Sequence, residues 1–339
     1  MIRPSPDARW ASPGFVLRRL AGRPTVRAED YAPAPDPERL AGIGARVARA
    51  RGPGAPAVAL LVAPTPRSGT NLVEALIAAH PRAATAPGGM REVPALVEAP
   101  RLAGFASAMG RRHPSAGLDP EEWLGLALAG LLARAAAERP EAGLILLKDP
   151  HVRRLDLRRA VLPGARLVVV LRDGRRTVDS AVRSWRAPGG ALGRLVGRSF
   201  ADHCRDWALA TAAALEAARG DPSAVVVRFE DAARDPAGTA RRLWKALGLG
   251  PAPAEALARA AAAPVLGSST HSREGGAVDW APRARSADFD PAGRALDWPA
   301  RWERIFAREA GAAQARLEAE APAGHAARDP ASGRLVAIP

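Results

Sequence analysis

Three short clusters in this sequence combine residue types that can hold and move a charged group. The first is Pro66-Arg67-Ser68-Gly69-Thr70-Asn71. Ser68, Thr70 and Asn71 each offer a donor to an oxyanion, Arg67 adds a charged fork, and Gly69 lets the backbone approach closely. The second is Arg172, followed eight residues later by Ser180 within LRDGRRTVDSAVRS. Arginine presents two parallel donors to a dianion, and a serine in the first turns of a following helix reaches the same oxygens. The third is Lys148, in Lys148-Asp149-Pro150; it and Lys245 are the only lysines among 49 basic residues. A compact ammonium reaches a single oxygen where a planar guanidinium does not fit. Each cluster also has an ordinary reading: a strand-to-helix turn, a surface arginine beside a helix start, a lysine that caps a strand.

The elements that must position these residues are legible around them. Residues 57–63 (AVALLVA), 144–147, 166–171 (RLVVVL) and 224–229 are short apolar runs, as expected of buried parallel strands. Between them, residues 71–79, 121–138, 177–184, 199–218 and 237–247 read as helices, with further helices expected over 252–263 and 301–320. Strands that alternate with helices predict an α/β fold with a central, mostly parallel sheet flanked by helices. In such sheets ligands bind at the carboxyl ends of the strands. A small-residue loop that opens a helix there is a phosphate cradle, because backbone N–H groups and the helix dipole both favour an anion. The loop is not a nucleoside-triphosphate P-loop, since no G-x-x-x-x-G-K-[ST] occurs. That argues against a kinase-like phosphotransferase of the same fold.

The bulk composition sets the frame. A chain of 339 residues with 47% hydrophobic residues suits a single large domain with a real core. The expected division is an irregular N-terminal arm over 1–54 with a short helix near 37–50, a domain over 55–320, and a flexible tail over 321–339. The net charge of +14 is almost entirely arginine and is read as a solvated surface. Nucleic-acid binding is not expected, because no zinc spacing and no stacking aromatics accompany the basic residues. One cysteine excludes an internal disulfide and suits a reducing compartment. No apolar run reaches the roughly 20 residues of a membrane span. A cytoplasmic protein is expected.

The segment VAPTPRSGTNLVEALIAAHP, residues 62–81, resembles the 5′-phosphosulfate-binding segment of sulfotransferases that use 3′-phosphoadenosine 5′-phosphosulfate (PAPS). It is nearest in form to the PRSGTT…HP of tyrosylprotein sulfotransferases and bacterial sulfotransferase families, with Asn71 in place of the commoner threonine. The resemblance covers about residues 57–310. It implies a P-loop-like fold, and it implies that Arg67, Ser68, Gly69, Thr70 and Asn71 hold the 5′-phosphosulfate. Arg172 and Ser180 would then grip the 3′-phosphate. VVVRFEDAARDP resembles the family's strand and turn near the adenine, where Phe229 either stacks or simply fills the core. Arg273, Gly275, Asp279 and Trp280 reproduce part of a late cofactor loop, with Arg273 as a further cation; Ser268 or Ser269 could instead match a serine near the sulfate.

The implied reaction is sulfuryl transfer from PAPS to a hydroxyl or amine, releasing adenosine 3′,5′-bisphosphate. Lys148 matches a catalytic lysine in the KDP of tyrosylprotein sulfotransferases, and Arg67 would share its leaving-group role. The base is Glu92 or His151. A strict register puts glycine, at Gly88-Gly89, where that group has its glutamate, and Glu92 lies a few residues later. That glycine pair keeps open an inert nucleotide-binding protein. No metal is expected, and the acceptor's class is not readable: residues 83–112 and 187–198 are the least patterned.

Overall fold

The computed structural model describes residues 13–31, 36–112, 119–184, 197–264, 295–321, 326–328 and 335–337. At its centre is a parallel sheet in the order β2-β3-β1-β4-β5, where β1 is Ala57–Val62, β2 Ala83–Thr85, β3 Leu144–Asp149, β4 Arg166–Leu171 and β5 Val225–Arg228. β1 lies in the middle, with β3 along one side and β4 along the other. The described helices are α1 (Pro13–Leu20), α2 (Pro37–Arg51), α3 (Thr70–Ala78), α4 (Ala95–Arg112), α5 (Pro120–Glu138) and α6 (Arg158–Val161). They continue with α7 (Gly174–Ser184), α8 (Phe200–Arg219), α9 (Phe229–Arg234), α10 (Pro236–Ala246), α11 (Ala254–Ala261) and α12 (Ala300–Glu320). A short antiparallel pair, β6 (Ala326–Arg328) and β7 (Leu335–Ala337), follows.

Both sheet faces are covered, which is why the strands read as unbroken apolar runs. Successive side chains still alternate between faces. Val58, Leu60 and Val62 join Leu147, Val169 and Leu171 in one core, closed by Ile43 of α2, Leu128 of α5, Trp207 of α8 and Phe306 of α12. Ala59 and Leu61 join Leu146, Val170 and Val227 in the other, closed by Leu76 of α3, Trp244 of α10 and Ala260 of α11. The same alternation decides where functional side chains point. Lys148 follows Leu144 and Leu146 in phase, so it faces α3, and Phe229 follows Val227 to the same side.

The helices that follow the two neighbouring strands β1 and β4 leave toward opposite faces: α3 packs in the second core, and Val178 of α7 in the first. A crevice therefore opens between the β1–α3 and β4–α7 loops, the position at which open α/β sheets take ligands.

The expected strands and helices are present, β4 with its expected ends and the others with ends shifted by no more than three residues. The main departures are β3, which runs on through Lys148 and Asp149, and β5, which stops at Arg228 so that Phe229 opens α9. The helix expected near 37–50 is α2, and Leu40, Ile43 and Val47 make it part of the first core. Two elements lay unread in residues 83–112. β2 is only three residues long, and α4 contains Gly104 and Pro100, which weaken any helical signal. The N-terminal segment is held to α8 by an ion pair of Arg19 with Asp202 at 2.6 Å and by a hydrogen bond that Tyr31 donates to Asp206 at 2.5 Å. Asp206 also takes Arg153 and Arg198, which with Tyr31 outweigh its burial and hold the carboxyl well below the usual range.

Candidate functional site

The β1–α3 loop has the backbone of an anion cradle. Gly69 is left-handed (φ 97°) and opens α3 without a side-chain cap, so the helix start is formed by backbone N–H groups. A Cβ at Gly69 would lie 2.0 Å from Phe229 Cδ2, so the loop can rest on that ring only as glycine. Arg67 also has positive φ (80°), an uncommon conformation for a non-glycine residue. Ser68 is fully buried and donates to the Thr65 carbonyl at 2.8 Å, which makes it an internal tie of the loop in this structure. Thr70 is buried as the first residue of α3. Beneath the cradle, Trp244 donates to the Leu76 carbonyl at 3.0 Å and stands edge-on to the buried His80. His80 accepts from the Arg82 N–H, and its burial lowers its pKa, so the His-Pro that ends α3 is a structural stop.

The second cluster meets the first directly. Arg172 donates to the Arg67 carbonyl at 2.9 Å, and its guanidinium lies 4.4 Å from the Phe229 ring centroid. Arg67 donates to the Ser180 hydroxyl at 3.3 Å. Phe229 is 6% exposed and so serves both as floor to Gly69 and as stacking face to Arg172. Asp173 caps α7 by accepting the Arg176 N–H at 2.9 Å. Asp179 holds Arg183 and Trp298 rather than the site arginine. Arg175 is paired with Glu303 and lies over Phe306.

The third cluster is the least expected in detail. Lys148 is 2% exposed, and its ammonium donates to Asn71 Oδ1 at 2.6 Å and to Glu74 Oε2 at 2.7 Å. Lys245, by contrast, is exposed on α10. Asn71 thus uses its amide oxygen on the lysine, which makes the amide nitrogen its donor end. Burial pushes Glu74 above the ordinary 4.5 of a glutamate, with Lys148 and Arg91 opposing. Sequence reading missed Glu74. Its signal was a lone carboxylate in an apolar helix, three residues after Asn71 and therefore on the same helical face.

The candidate bases stand at the same edge. The N–H of Val93 donates to the Lys148 carbonyl at 2.7 Å, which ties Glu92 beside the end of β3. Glu92 has an exposed surface, yet protein crowds its carboxyl. That desolvation raises its pKa, with Lys148 and His151 pulling the other way. His151 is turned by its Nδ1, 3.0 Å from Asp149 Oδ1. Asp149 is fully buried and pushed up by burial, with His151 opposing. Gly88 and Gly89 are both left-handed (φ 62° and 71°), and the Gly88 N–H donates to Glu138 at 3.1 Å, so this stretch is a turn built for glycine. Arg273 and Gly275, with Ser268, Ser269, Asp279 and Trp280, lie outside the described residues, as do residues 187–196 of the expected acceptor loop.

Arg67, Asn71, Glu92, Lys148, His151, Arg172, Ser180 and Phe229 therefore gather at the carboxyl ends of β1, β3, β4 and β5. Among the described residues, no helix is long and apolar enough to cross a membrane.

No curated protein matches the chain. Among solved structures, it is similar to the sulfotransferase domain of the Synechococcus PCC 7002 olefin synthase, at 20% identity over 60% of this chain and 76% of that one, with a TM-score of 0.38. It is also similar to the sulfotransferase domain from the curacin biosynthetic pathway (16% identity, 75% and 97% covered, TM-score 0.43). A third is the sulfotransferase STF1 from Mycobacterium tuberculosis H37Rv (17% identity, 66% and 75% covered, TM-score 0.37). The model of the sulfotransferase family matches residues 60–253, more than half of the chain and the stretch that runs from the cradle strand past Phe229. With its P-loop-like parallel sheet and its three clusters at one sheet edge, the chain belongs to the sulfotransferase family.

Proposed function

We propose that the protein transfers the sulfuryl group of PAPS to a hydroxyl or amine acceptor. One observation carries this reading: Arg67, Lys148 and Arg172 stand on three neighbouring strand ends around a left-handed glycine loop. The residues present fit the donor. The uncapped start of α3 and Arg67 suit the 5′-phosphosulfate, and Arg172 with Ser180 suits a second phosphate on the far side of the same loop. The Phe229 ring lies 4.4 Å beneath the Arg172 guanidinium carbon and supports it by a cation–π contact.

Transfer forms a bond from the acceptor oxygen or nitrogen to sulfur and breaks the bond from sulfur to the bridging oxygen. The bisphosphate leaves with the electron pair. Lys148 supplies the compact cation for that oxygen, with Arg67 beside it. Glu92 takes the acceptor's proton. The Val93 N–H fixes the neighbouring backbone beside the end of β3, and a raised pKa brings the Glu92 carboxyl nearer the range in which a carboxylate acts as a base. His151, oriented by Asp149, is the alternative base.

Calorimetry with adenosine 3′,5′-bisphosphate and with AMP tests the donor. A clear preference for the bisphosphate is expected, and equal affinities would remove the 3′-phosphate assignment. Release of labelled sulfate from PAPS in Glu92→Gln and His151→Ala then separates the two bases, because the variant that keeps turnover names the residue not used.

A further inference from the structure

We infer that Glu74 is a positioning residue for the transfer reaction: with Asn71 it clamps the Lys148 ammonium in register with the phosphate cradle. The inference rests on the role given to Lys148 above.

The argument is geometric. Asn71 and Glu74 sit three residues apart on α3, one helical turn, and both present an oxygen to the same nitrogen, at 2.6 and 2.7 Å. α3 is the helix whose first turn is the cradle, so the lysine is referenced to the phosphate site by a rigid element rather than by its own flexible stem. The lysine side chain is 1% exposed and that of Glu74 8%, so water does not compete for the contact. The charged groups around the ammonium come from every neighbouring element. Glu74 is on α3, Arg91 and Glu92 on the segment before α4, and Asp149 and His151 at the end of β3. Glu74 alone among these carboxylates is bonded to the ammonium.

A catalytic cation displaced by an ångström loses on the order of 10²-fold in rate, because its interaction is concentrated at the transition state. A clamp on that cation should therefore act on turnover and leave ligand affinity alone.

The test uses the full chain and PAPS with water as acceptor. Water's oxygen bonds to sulfur, the bridging bond breaks, and sulfate, a proton and adenosine 3′,5′-bisphosphate are released. Glu74→Ala is expected to slow this release about 10- to 100-fold and to change the affinity for adenosine 3′,5′-bisphosphate by less than about twofold. Glu74→Gln, whose amide oxygen still accepts, should recover part of the rate and serves where Glu74→Ala fails to fold. In a Lys148→Ala background neither change should slow the reaction further. A second readout needs no turnover. With two lysines in the chain, the ¹⁵N-ammonium signal of Lys148 should broaden or move in Glu74→Gln while the backbone amide spectrum stays in place.

Full turnover in the Glu74 variants, or an equal loss with and without Lys148, overturns the clamp while leaving the role of Lys148 intact. Full turnover in Lys148→Ala overturns the reading beneath it.

Discussion

Two buried ion pairs stand at opposite ends of the same sheet. At the carboxyl end Lys148 pairs with Glu74, and at the amino end Arg158 of α6 pairs with Asp221 before β5. Their side chains are similarly buried, at 1% and 8% against 10% and 10%. Their carboxylates behave in opposite ways. Burial pushes Asp221 up, but the Ser223 hydroxyl and N–H, together with Arg158, outweigh it and hold the carboxyl below its ordinary 3.8. Arg158 is tied in turn to the Ala165 carbonyl. Glu74 stays above its ordinary value, because Lys148 offsets burial only in part. The amino-end pair is satisfied by its own loop and works as a lock. The carboxyl-end pair depends on an ammonium that chemistry also needs. An open depression of about 440 Å³ lies beside the lock, lined by Ala41, Gly44, Arg158 and Asp221, so a hollow in the surface does not by itself mark the functional end. It is the arrangement of polar groups that does.

The contrast can be broken most strongly at the lock. Asp221→Ala strands a buried guanidinium and is expected to cost about 3–5 kcal/mol in denaturant unfolding. The affinity for adenosine 3′,5′-bisphosphate should be unchanged below the transition, where the variant is folded. A loss of that affinity in the folded variant would show that the two ends are not independent. At the other end, Lys148→Ala should lower the single-turnover rate by about 10²- to 10³-fold with little change in bisphosphate affinity. Lys148→Arg should restore only part, because a planar fork does not occupy a point-charge position. An equal loss of rate and affinity would make Lys148 a ligand clamp.

Arg172→Ala should abolish the preference for adenosine 3′,5′-bisphosphate over AMP, a change of about 1.5–3 kcal/mol by calorimetry. Because Arg172 also ties the Arg67 carbonyl, some loss of AMP affinity should accompany it.

The smallest effect is the dependence of stability on pH, and here the two carboxylates should differ in sign. A raised carboxyl binds its proton more tightly in the folded chain, so the Glu74 contribution favours folding more as pH falls through its folded value above 4.5. A depressed carboxyl does the reverse: the Asp221 contribution is present above 3.8 and is lost as pH falls through its lower folded value. Thermal melts of Glu74→Gln and Asp221→Asn against the parent should show this. The Glu74 difference should move in the parent's favour on acidification toward 4.5, and the Asp221 difference should move against it below 3.8. Parallel shifts in the two series would refute the contrast.

What could be read in advance follows from the range of each interaction. Buried parallel strands advertise themselves as apolar runs, so β1, β3, β4 and β5 were legible, and with them the strand ends that carry Lys148 and Arg172. The cradle was legible because its residue types are demanded locally. β2 and α4 were not, one being too short for a pattern and the other interrupted by proline and glycine. Glu74 was hidden for another reason. A glutamate in a helix is ordinary until a strand more than 70 residues away delivers an ammonium to it. The shared duty of Phe229, beneath Gly69 and against Arg172, is likewise a tertiary fact that its strand-end position only hinted at.

The contrast between the two lysines has a practical side. To an amine-directed reagent, an arginine surface is nearly silent, and the chain offers the exposed ammonium of Lys245 on α10 while Lys148 is buried against Asn71 and Glu74. A dye or cross-linker aimed at lysine side chains should therefore settle at one known address, on the helix whose Trp244 supports the cradle from below. The protein comes with its own handle for tethering and for optical reporting, one residue from the Trp244 that is bonded to the cradle helix.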